Sequence, residues 1–406
     1  MNRIIYKGFA VAFVALTLTA CAGRKTYEHP NVVNEKLFRT DNIPTDSLSS
    51  ANVSWRNIFT DATLQEHINK ALSNNLDVRV AMQNVASAQA YLKQSKAAFI
   101  PTLAAQANYT RATSSINAMG GVGERTYGNL WDLTGSASWE ADIWGKLSAQ
   151  KRASYASYLA TVEAQKAVQS EVVATLATAY YQLLMLDKQK KVLEQTIDFR
   201  QKSLETTKHL KEAGSTTEVA TKQIEALVYN AQAQLISIKN SVWALENTIC
   251  VLLGEEPHTI ERTTLAEQNF PTEFKQGYAA KLLQNRPDVA RAELSLRNAF
   301  ELTNVARAAF YPTLTLSARG GFSSTELDTW ISAKSIFANF VAGLAQPILN
   351  RRQIRTQYEV KQIEQETALL NFKKVILSAG KEVADAMQNF SNQTEFIEPK
   401  NKEMKA

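Results

Sequence analysis

The side chains that could carry chemistry are few and scattered. The chain holds two cysteines and four histidines. Cys21 ends the run Leu18-Thr19-Ala20-Cys21 directly after an apolar stretch, where a thiol can accept a lipid group. Cys250 lies in Ile249-Cys250-Val251-Leu252-Leu253 and reads as a small buried apolar residue. If Cys21 is acylated, Cys250 has no partner for an intramolecular disulfide. The histidines, His29, His67, His209 and His258, make no metal-ligand spacing with cysteine. Gly120-Gly121-Val122-Gly123 is glycine-rich but lacks the strand-to-helix setting of a phosphate loop, and no nucleophile elbow occurs. These residues argue against an enzyme, against a metal and against a dissociable cofactor. Asp132, Glu140 and Asp142 recur at even spacing among serines and threonines, which makes them the polar face of a strand, solvated or lining a wet space.

The N-terminus explains Cys21. Arg3 and Lys7 precede an apolar segment from Gly8 to Thr19. That segment is too short to cross a bilayer, which takes about 20 residues, so residues 1–20 read as a signal peptide. Leu18-Thr19-Ala20-Cys21 resembles the bacterial lipobox. The resemblance implies cleavage between Ala20 and Cys21, with diacylglycerol on the sulfur and an N-acyl chain on the new terminus. Ala22 stands where aspartate would signal inner-membrane retention, which favours the outer membrane. An ordinary signal peptide that happens to precede a cysteine is the plainer alternative.

The formal net charge is +6 over 406 residues, and loss of the leader removes two of those positive charges. Such a balanced chain gives no sign of a nucleic-acid partner. After the leader no apolar run is long enough for a membrane helix, so a membrane crossing would have to use strands.

The elements that carry these residues are written twice. Asn75-Leu76-Asp77-Val78, continuing to Ala97-Ala98-Phe99-Ile100-Pro101-Thr102-Leu103, aligns without gaps to Arg286-Pro287-Asp288-Val289, continuing to Ala308-Ala309-Phe310-Tyr311-Pro312-Thr313-Leu314. Shared helix composition does not produce such a register; the chain contains a duplication. Each copy opens with a helix that stops before its proline. The period then changes to two. Leu103, Ala105, Ala107 and Tyr109 share one face, and in a second strand Leu133, Gly135, Ala137, Trp139, Ala141 and Ile143 alternate with Asp132, Thr134, Ser136, Ser138, Glu140 and Asp142. Residues 113–128 read as a loop between them, with a counterpart from Gly320 to Ser335. The second copy repeats the pair at 314–319 and from Phe337 to Ile348. Tyr109, Trp131, Trp144, Trp330 and Phe340 gather near strand ends, like the girdles of membrane barrels. A soluble sandwich would show the same alternation.

From Lys146 to about His209 there is neither proline nor glycine, which allows one helix of about 95 Å. Its contact face uses Ala149, Ala153, Ala156, Ala160, Ala164, Ala177 and Ala179 with Val168, Val172, Leu176 and Leu183 between. Ala213-Gly214-Ser215 breaks the helix, Thr216 or Thr217 caps its return, and the return ends at Leu253 before Gly254.

This order of elements resembles the TolC-like outer membrane factors, in the lipoprotein (NodT-like) branch paired with resistance-nodulation-division pumps. The motifs that carry the likeness are Ser54-Trp55-Arg56-Asn57-Ile58-Phe59-Thr60-Asp61, Ala71-Leu72-Ser73-Asn74-Asn75, Trp139-Glu140-Ala141-Asp142-Ile143-Trp144-Gly145-Lys146-Leu147, Arg286-Pro287-Asp288-Val289 and Gln346-Pro347-Ile348. It implies a mainly α fold with a small membrane β part. Duplicated long helical hairpins and strand pairs would form a homotrimeric α-barrel tunnel, capped by a twelve-stranded outer-membrane β-barrel with four strands from each protomer. The function implied is a passive exit duct for small molecules such as drugs, toxic compounds or metal ions, extending into the periplasm. Its partners would be an inner-membrane resistance-nodulation-division pump, a periplasmic membrane-fusion adaptor and outer membrane lipid. Ala213, Gly214 and Ser215 would dock the adaptor, and Asp132, Glu140 and Asp142 would face the lumen.

The domain expectation is a signal peptide at 1–20, a lipidated linker at 21–60, a first efflux repeat at 61–254, a linker at 255–275 and a second repeat at 276–406. That second repeat departs from the family pattern: no returning helix follows the one beginning near Arg351, and Pro399 would interrupt that helix. A shortened, non-functional channel is one alternative. A lipid-anchored periplasmic coiled-coil scaffold or adhesin is another, which would explain the helices and Cys21 but not the alternating strands.

Overall fold

The computed structural model describes residues 25–30, 53–115, 117, 124–269 and 285–405. Ala20, Cys21 and the Gly120–Gly123 run lie outside them. In chain order the elements are α1 (Trp55–Ile58), α2 (Ala62–Asn74), α3 (Leu76–Ala97), β1 (Thr102–Thr113), β2 (Tyr127–Ala141), α4 (Lys146–Glu212), α5 (Glu218–Leu253), α6 (Pro287–Ala308), β3 (Thr313–Ser324), β4 (Ile336–Ala345) and α7 (Gln353–Glu403).

The duplication is visible in the element boundaries. α3 and α6 each have 22 residues, β1 and β3 each have 12, and every start is displaced by the same interval as in the sequence alignment. The two copies begin their helices differently. Asn75 accepts the backbone N–H groups of Asp77 and Val78 through Oδ1 at 2.9 and 3.1 Å. The second copy instead opens with Pro287 in the first turn and lets Asp288 accept the N–H of Val289.

α4 is one helix of 67 residues, a little longer at its end than the composition indicates. Ala149, Ala153, Ala156, Val172, Leu176, Ala177, Ala179 and Leu183 are buried as expected, whereas Ala160, Ala164 and Val168 are only half-buried. α5 starts at the Thr217 cap and stops at Gly254, whose φ of 72° is the left-handed conformation favoured at a helix end.

Three strands differ at their boundaries from the sequence reading. β3 runs through Gly320 and Gly321 where composition indicates a loop, because those positions lie where neighbouring backbone comes close; a Cβ on Gly321 would overlap the carbonyl of Leu133. β2 begins at Tyr127 and ends at Ala141, leaving Asp142 and Ile143 in the turn before α4. Likewise β4 ends at Ala345, short of Pro347, which cannot donate to a ladder. Pro399 does not stop α7. The helix accommodates it because it lies in the final turns, where the lost N–H bond and the ring clash with the carbonyl four residues earlier disturb little else.

The chain divides into two compact units, and each draws on both copies. Among the described residues one unit comprises 25–30, 87–115, 117, 124–160 and 292–374 and holds the whole sheet. In it Arg152 on α4 makes a bidentate ion pair with Glu301 on α6, at 2.7 and 2.8 Å. Asn304 donates to Glu301 and to the carbonyl of Lys25, and Tyr27 packs edge-on against Phe300.

The other unit comprises the described residues 53–86, 161–269, 285–291 and 375–405. Its core is built from Leu64, Ile68 and Ala71, spaced on one face of α2, together with Leu176, Tyr180 and Leu183 of α4 and Ile249, Cys250 and Leu253 of α5. The buried Cys250 also fulfils its expected role as a small core residue, with Sγ 3.3 Å from the backbone N–H of His258. Asp61 fastens the edge of this core: it caps α2 and accepts from Tyr180 Oη at 2.9 Å, Thr263 Oγ1 at 2.5 Å and Gln268 Nε2 at 2.8 Å. Beside it Arg262 bridges Asp187 and the buried Glu246, each at 2.5 Å.

Candidate functional site

The four strands form one antiparallel sheet in the order β1-β2-β3-β4. Its register sorts the side chains. Leu103, Ala137, Ala318 and Phe340 form one cross-strand row, and Ala107, Leu133, Phe322 and Ile336 another, all on the same face. The opposite face carries the row Asn108, Asp132, Ser323 and the row Ala104, Ser136, Arg319, Asn339. A shift of one residue between any two strands would mix the faces. Instead an apolar face and a largely polar one extend across strands from both copies.

The apolar face ends in aromatic groups. Toward the β1–β2 loop, Tyr109 lies against Trp131 at 4.3 Å between centroids, and Trp131 against Trp330 at 5.7 Å. Toward the helices, Trp139 donates to the carbonyl of Phe99 at 2.9 Å, and Trp144 donates to the carbonyl of Pro312 at 2.7 Å while stacking on Tyr311. Trp131 and Trp139 are eight residues apart on β2, about 26 Å of strand, which at a tilt of about 40° gives a band of roughly 20 Å. Phe340, expected near a strand end, is instead central in β4 and belongs to the apolar band.

The predicted acids separate. Asp132 lies half-exposed on the polar face beside Asn108 and Ser323. Glu140 is on the same face near its helical end and pairs with Lys146 at 2.9 Å. Asp142 is not a strand residue, so its expected place in the polar row is corrected. Its carboxylate accepts the backbone N–H groups of Leu147 and Ser148 at 2.8 and 2.9 Å and the Ser148 hydroxyl at 2.5 Å. Those groups are the otherwise unpaired donors of the first turn of α4, where the helix dipole also favours an anion.

Both outer edges, the free side of β1 and the free side of β4, have no strand partner among the described residues. A sheet in lipid must pair every such edge, because no water satisfies its backbone groups.

At the far end of α4 the chain turns through Ala213, Gly214 and Ser215, all exposed. Ser215 N–H donates to the carbonyl of Leu210 at 2.8 Å and Gly214 N–H to that of Lys211 at 2.9 Å, closing the helix over the Gly214 φ of 72°. Lys211 and Glu218 pair across the turn, and the hydrogen bond from the ammonium holds the Glu218 carboxyl below its ordinary range.

The histidines remain apart: His67 contacts the Glu261 carbonyl, His209 faces Glu212, and His29 faces Glu293. Among the described residues no group of three or more histidine, cysteine, aspartate or glutamate side chains is arranged to hold a metal ion. Nor is any described helix long and apolar enough to cross a membrane. The sequence did not single out Arg152, Glu301, Arg262 or Arg319, since none stands in a motif and their partners are distant in the chain.

The family model described as "Outer membrane efflux protein" matches residues 67–255 and 279–401. The cation efflux system protein CusC of Escherichia coli K12 is 27% identical over 385 residues, covering 92% of this chain and 81% of its own. The toluene efflux pump outer membrane protein TtgI of Pseudomonas putida is 27% identical over 383 residues with the same coverage. The probable outer membrane lipoprotein SilC of Salmonella typhimurium is 27% identical over 361 residues, covering 88% of this chain and 77% of its own. Among solved structures, the open state of the Neisseria gonorrhoeae MtrE outer membrane channel superposes with a TM-score of 0.82 at 24% identity, covering 93% of this chain and 84% of that one. A CusC structure does so with a TM-score of 0.80 at 24% identity, covering 93% and 85%. These structures share the fold.

Proposed function

The chain belongs to the outer membrane efflux protein family, and from that membership we propose that three copies assemble into a passive exit duct. It is the outer membrane component of an efflux system. The observation that carries the assembly is the sheet: four strands, one continuous apolar face and two unpaired edges. Four strands are too few to close a barrel around a lumen, and lipid forbids the open edges. Three copies close a twelve-stranded barrel with the apolar face outward and the polar face, with Asp132 and Glu140, lining the lumen. The helices continue the passage into the periplasm, and the duct performs no catalysis.

Small molecules enter from an inner-membrane resistance-nodulation-division pump through a periplasmic adaptor that docks on Ala213, Gly214 and Ser215. The exposed tip and its fixed left-handed glycine support that contact, since they present a rigid turn free of other packing. Cargo among the named relatives includes cations and toluene, so drugs, toxic organic compounds and metal ions are the classes to assay. Cys21 carries diacylglycerol and an N-acyl chain that hold the N-terminus in the outer membrane.

The test is electrophoresis of the outer membrane fraction without boiling, followed by heating. A heat-modifiable trimer is expected, together with restored efflux when the protein is expressed beside its pump and adaptor. A helical monomer released from the membrane by delipidation would favour the anchored scaffold and refute the duct.

A further inference from the structure

Arg319 is the one cation on the polar face of the four strands, all of whose residues are described. The register places it between Ser136 on β2 and Asn339 on β4, with Ala104 beyond. It is exposed, and among the described residues no carboxylate lies within ion-pairing distance of it. The acids of that face are remote: Asp132 and Glu140 each stand four residues from Ser136, about 13 Å along the strand. Glu140 is moreover engaged by Lys146. Lys146 lies in α4, outside the sheet, and its pairing with Glu140 leaves Arg319 as the uncompensated positive charge.

The guanidinium is nevertheless held in place. Its Cζ lies 5.7 Å from the centre of the Phe337 ring, on the next row of the same face. Phe337 sits directly opposite Gly321 in the register of β3 and β4. A planar cation resting on an aromatic ring keeps its N–H fork free for a carboxylate, sulfonate or phosphate group.

We propose that Arg319, supported by Phe337, is a charge-selecting residue of the duct: a ring of three guanidinium groups that concentrates anionic solutes midway along the strands. This rests on the reading of the polar face as the lumen. Charged rings set ion preference in pores, and here one positive ring lies between acidic ones. Solutes carrying a negative group are retained briefly at this ring, while small cations are repelled at it.

Thiol-labelling rates in outer membrane vesicles containing the full chain read the local potential whether or not the periplasmic end is open. Cys250 is fully buried and Cys21 is blocked by its proposed lipid, so an added thiol at Asn339→Cys, directly across from Arg319, reports alone. Anionic sulfonatoethyl and cationic trimethylammonioethyl methanethiosulfonate are the probes. With cross-strand neighbours on one face about 5 Å apart and water between them, one unit charge changes each rate about fourfold. Adding Arg319→Gln should therefore slow the anionic reagent about fourfold and speed the cationic one about fourfold, while Arg319→Lys keeps the original ratio. An unchanged ratio in Arg319→Gln overturns the proposal and leaves the duct intact. If Asn339→Cys reacts with neither reagent while Phe340→Cys reacts with both, the face assignment fails, and the proposal with it. Should Arg319→Gln not reach the membrane, Phe337→Ala with the same probe tests the support: the ratio should fall, and no change would overturn its part.

Discussion

Arg152 and Glu301 meet in a two-point ion pair between the first helix after β2 and the last helix before β3, with the Glu301 side chain only 5% exposed. Each residue comes from a different copy of the duplication, so this contact fastens the copies together beneath the sheet they share. Removing one partner strands a buried charge, which costs about 3–5 kcal/mol. Arg152→Ala is expected to lower the thermal unfolding midpoint, followed by circular dichroism in detergent. The double variant Arg152→Met with Glu301→Leu should recover most of the loss, because a well-packed apolar pair avoids the desolvation penalty. Equal damage from single and double variants would contradict this account.

Asp61 predicts a pH dependence. Burial by itself would raise its carboxyl, but hydrogen bonds from Thr263, Gln268, Tyr180 and the Leu64 N–H outweigh burial and hold it below the ordinary value. A carboxyl lowered on folding stabilises the native state above the unfolded pKa, near 4. That contribution disappears as the pH falls through the lower folded value. Wild-type stability should therefore decline below about pH 4 more than that of Asp61→Asn, and the two curves should converge in acid. Asparagine caps a helix about as well as aspartate, so the difference at neutral pH reads the carboxylate charge and not the cap.

Gly321 and Gly135 lie in the same sheet yet should respond differently. A Cβ on Gly321 would overlap the backbone of Leu133 and Thr134, whereas one on Gly135 would meet the Gly320 carbonyl at an ordinary 3.8 Å. Gly321→Ala forces the strands apart and costs on the order of 1–3 kcal/mol. Its yield in the outer membrane should fall several-fold, measured by immunoblot of fractionated membranes, while Gly135→Ala stays near wild type.

Cys21→Ser tests the proposed lipid attachment by removing its acceptor. The precursor should then keep its leader and incorporate no labelled palmitate, visible as slower gel migration and an unlabelled band. Normal processing and normal outer membrane yield of this variant would show that the acyl chains are dispensable to a protein held by its strands.

Asp142→Ala should weaken the start of the 67-residue helix by about 1 kcal/mol, because three donors lose their acceptor. Hydrogen exchange at Leu147 and Ser148 should rise while exchange near Leu183 is unchanged. If Asp142 acted in the sheet instead, the strand amides would respond.

Much of this was legible in the sequence because it is local. Helix length follows from the absence of proline and glycine between Lys146 and Glu212, and the helix ends from Thr217 and Gly254. The two-residue period of β2 and the repeated Pro-Thr-Leu expose the strands and the duplication. What periodicity cannot supply is which distant residues meet. Asp142 continued the alternation of β2 on paper, yet the chain leaves the sheet one residue earlier and gives its carboxylate to a helix. Gly320 and Gly321 look like loop until the neighbouring Leu133 backbone explains them. The isolation of Arg319, the pairing of Arg152 with Glu301 and the knot around Asp61 depend on register and topology. A pair separated by more than a hundred residues leaves no periodic trace, so only the folded chain decides which charges are matched and which remain free.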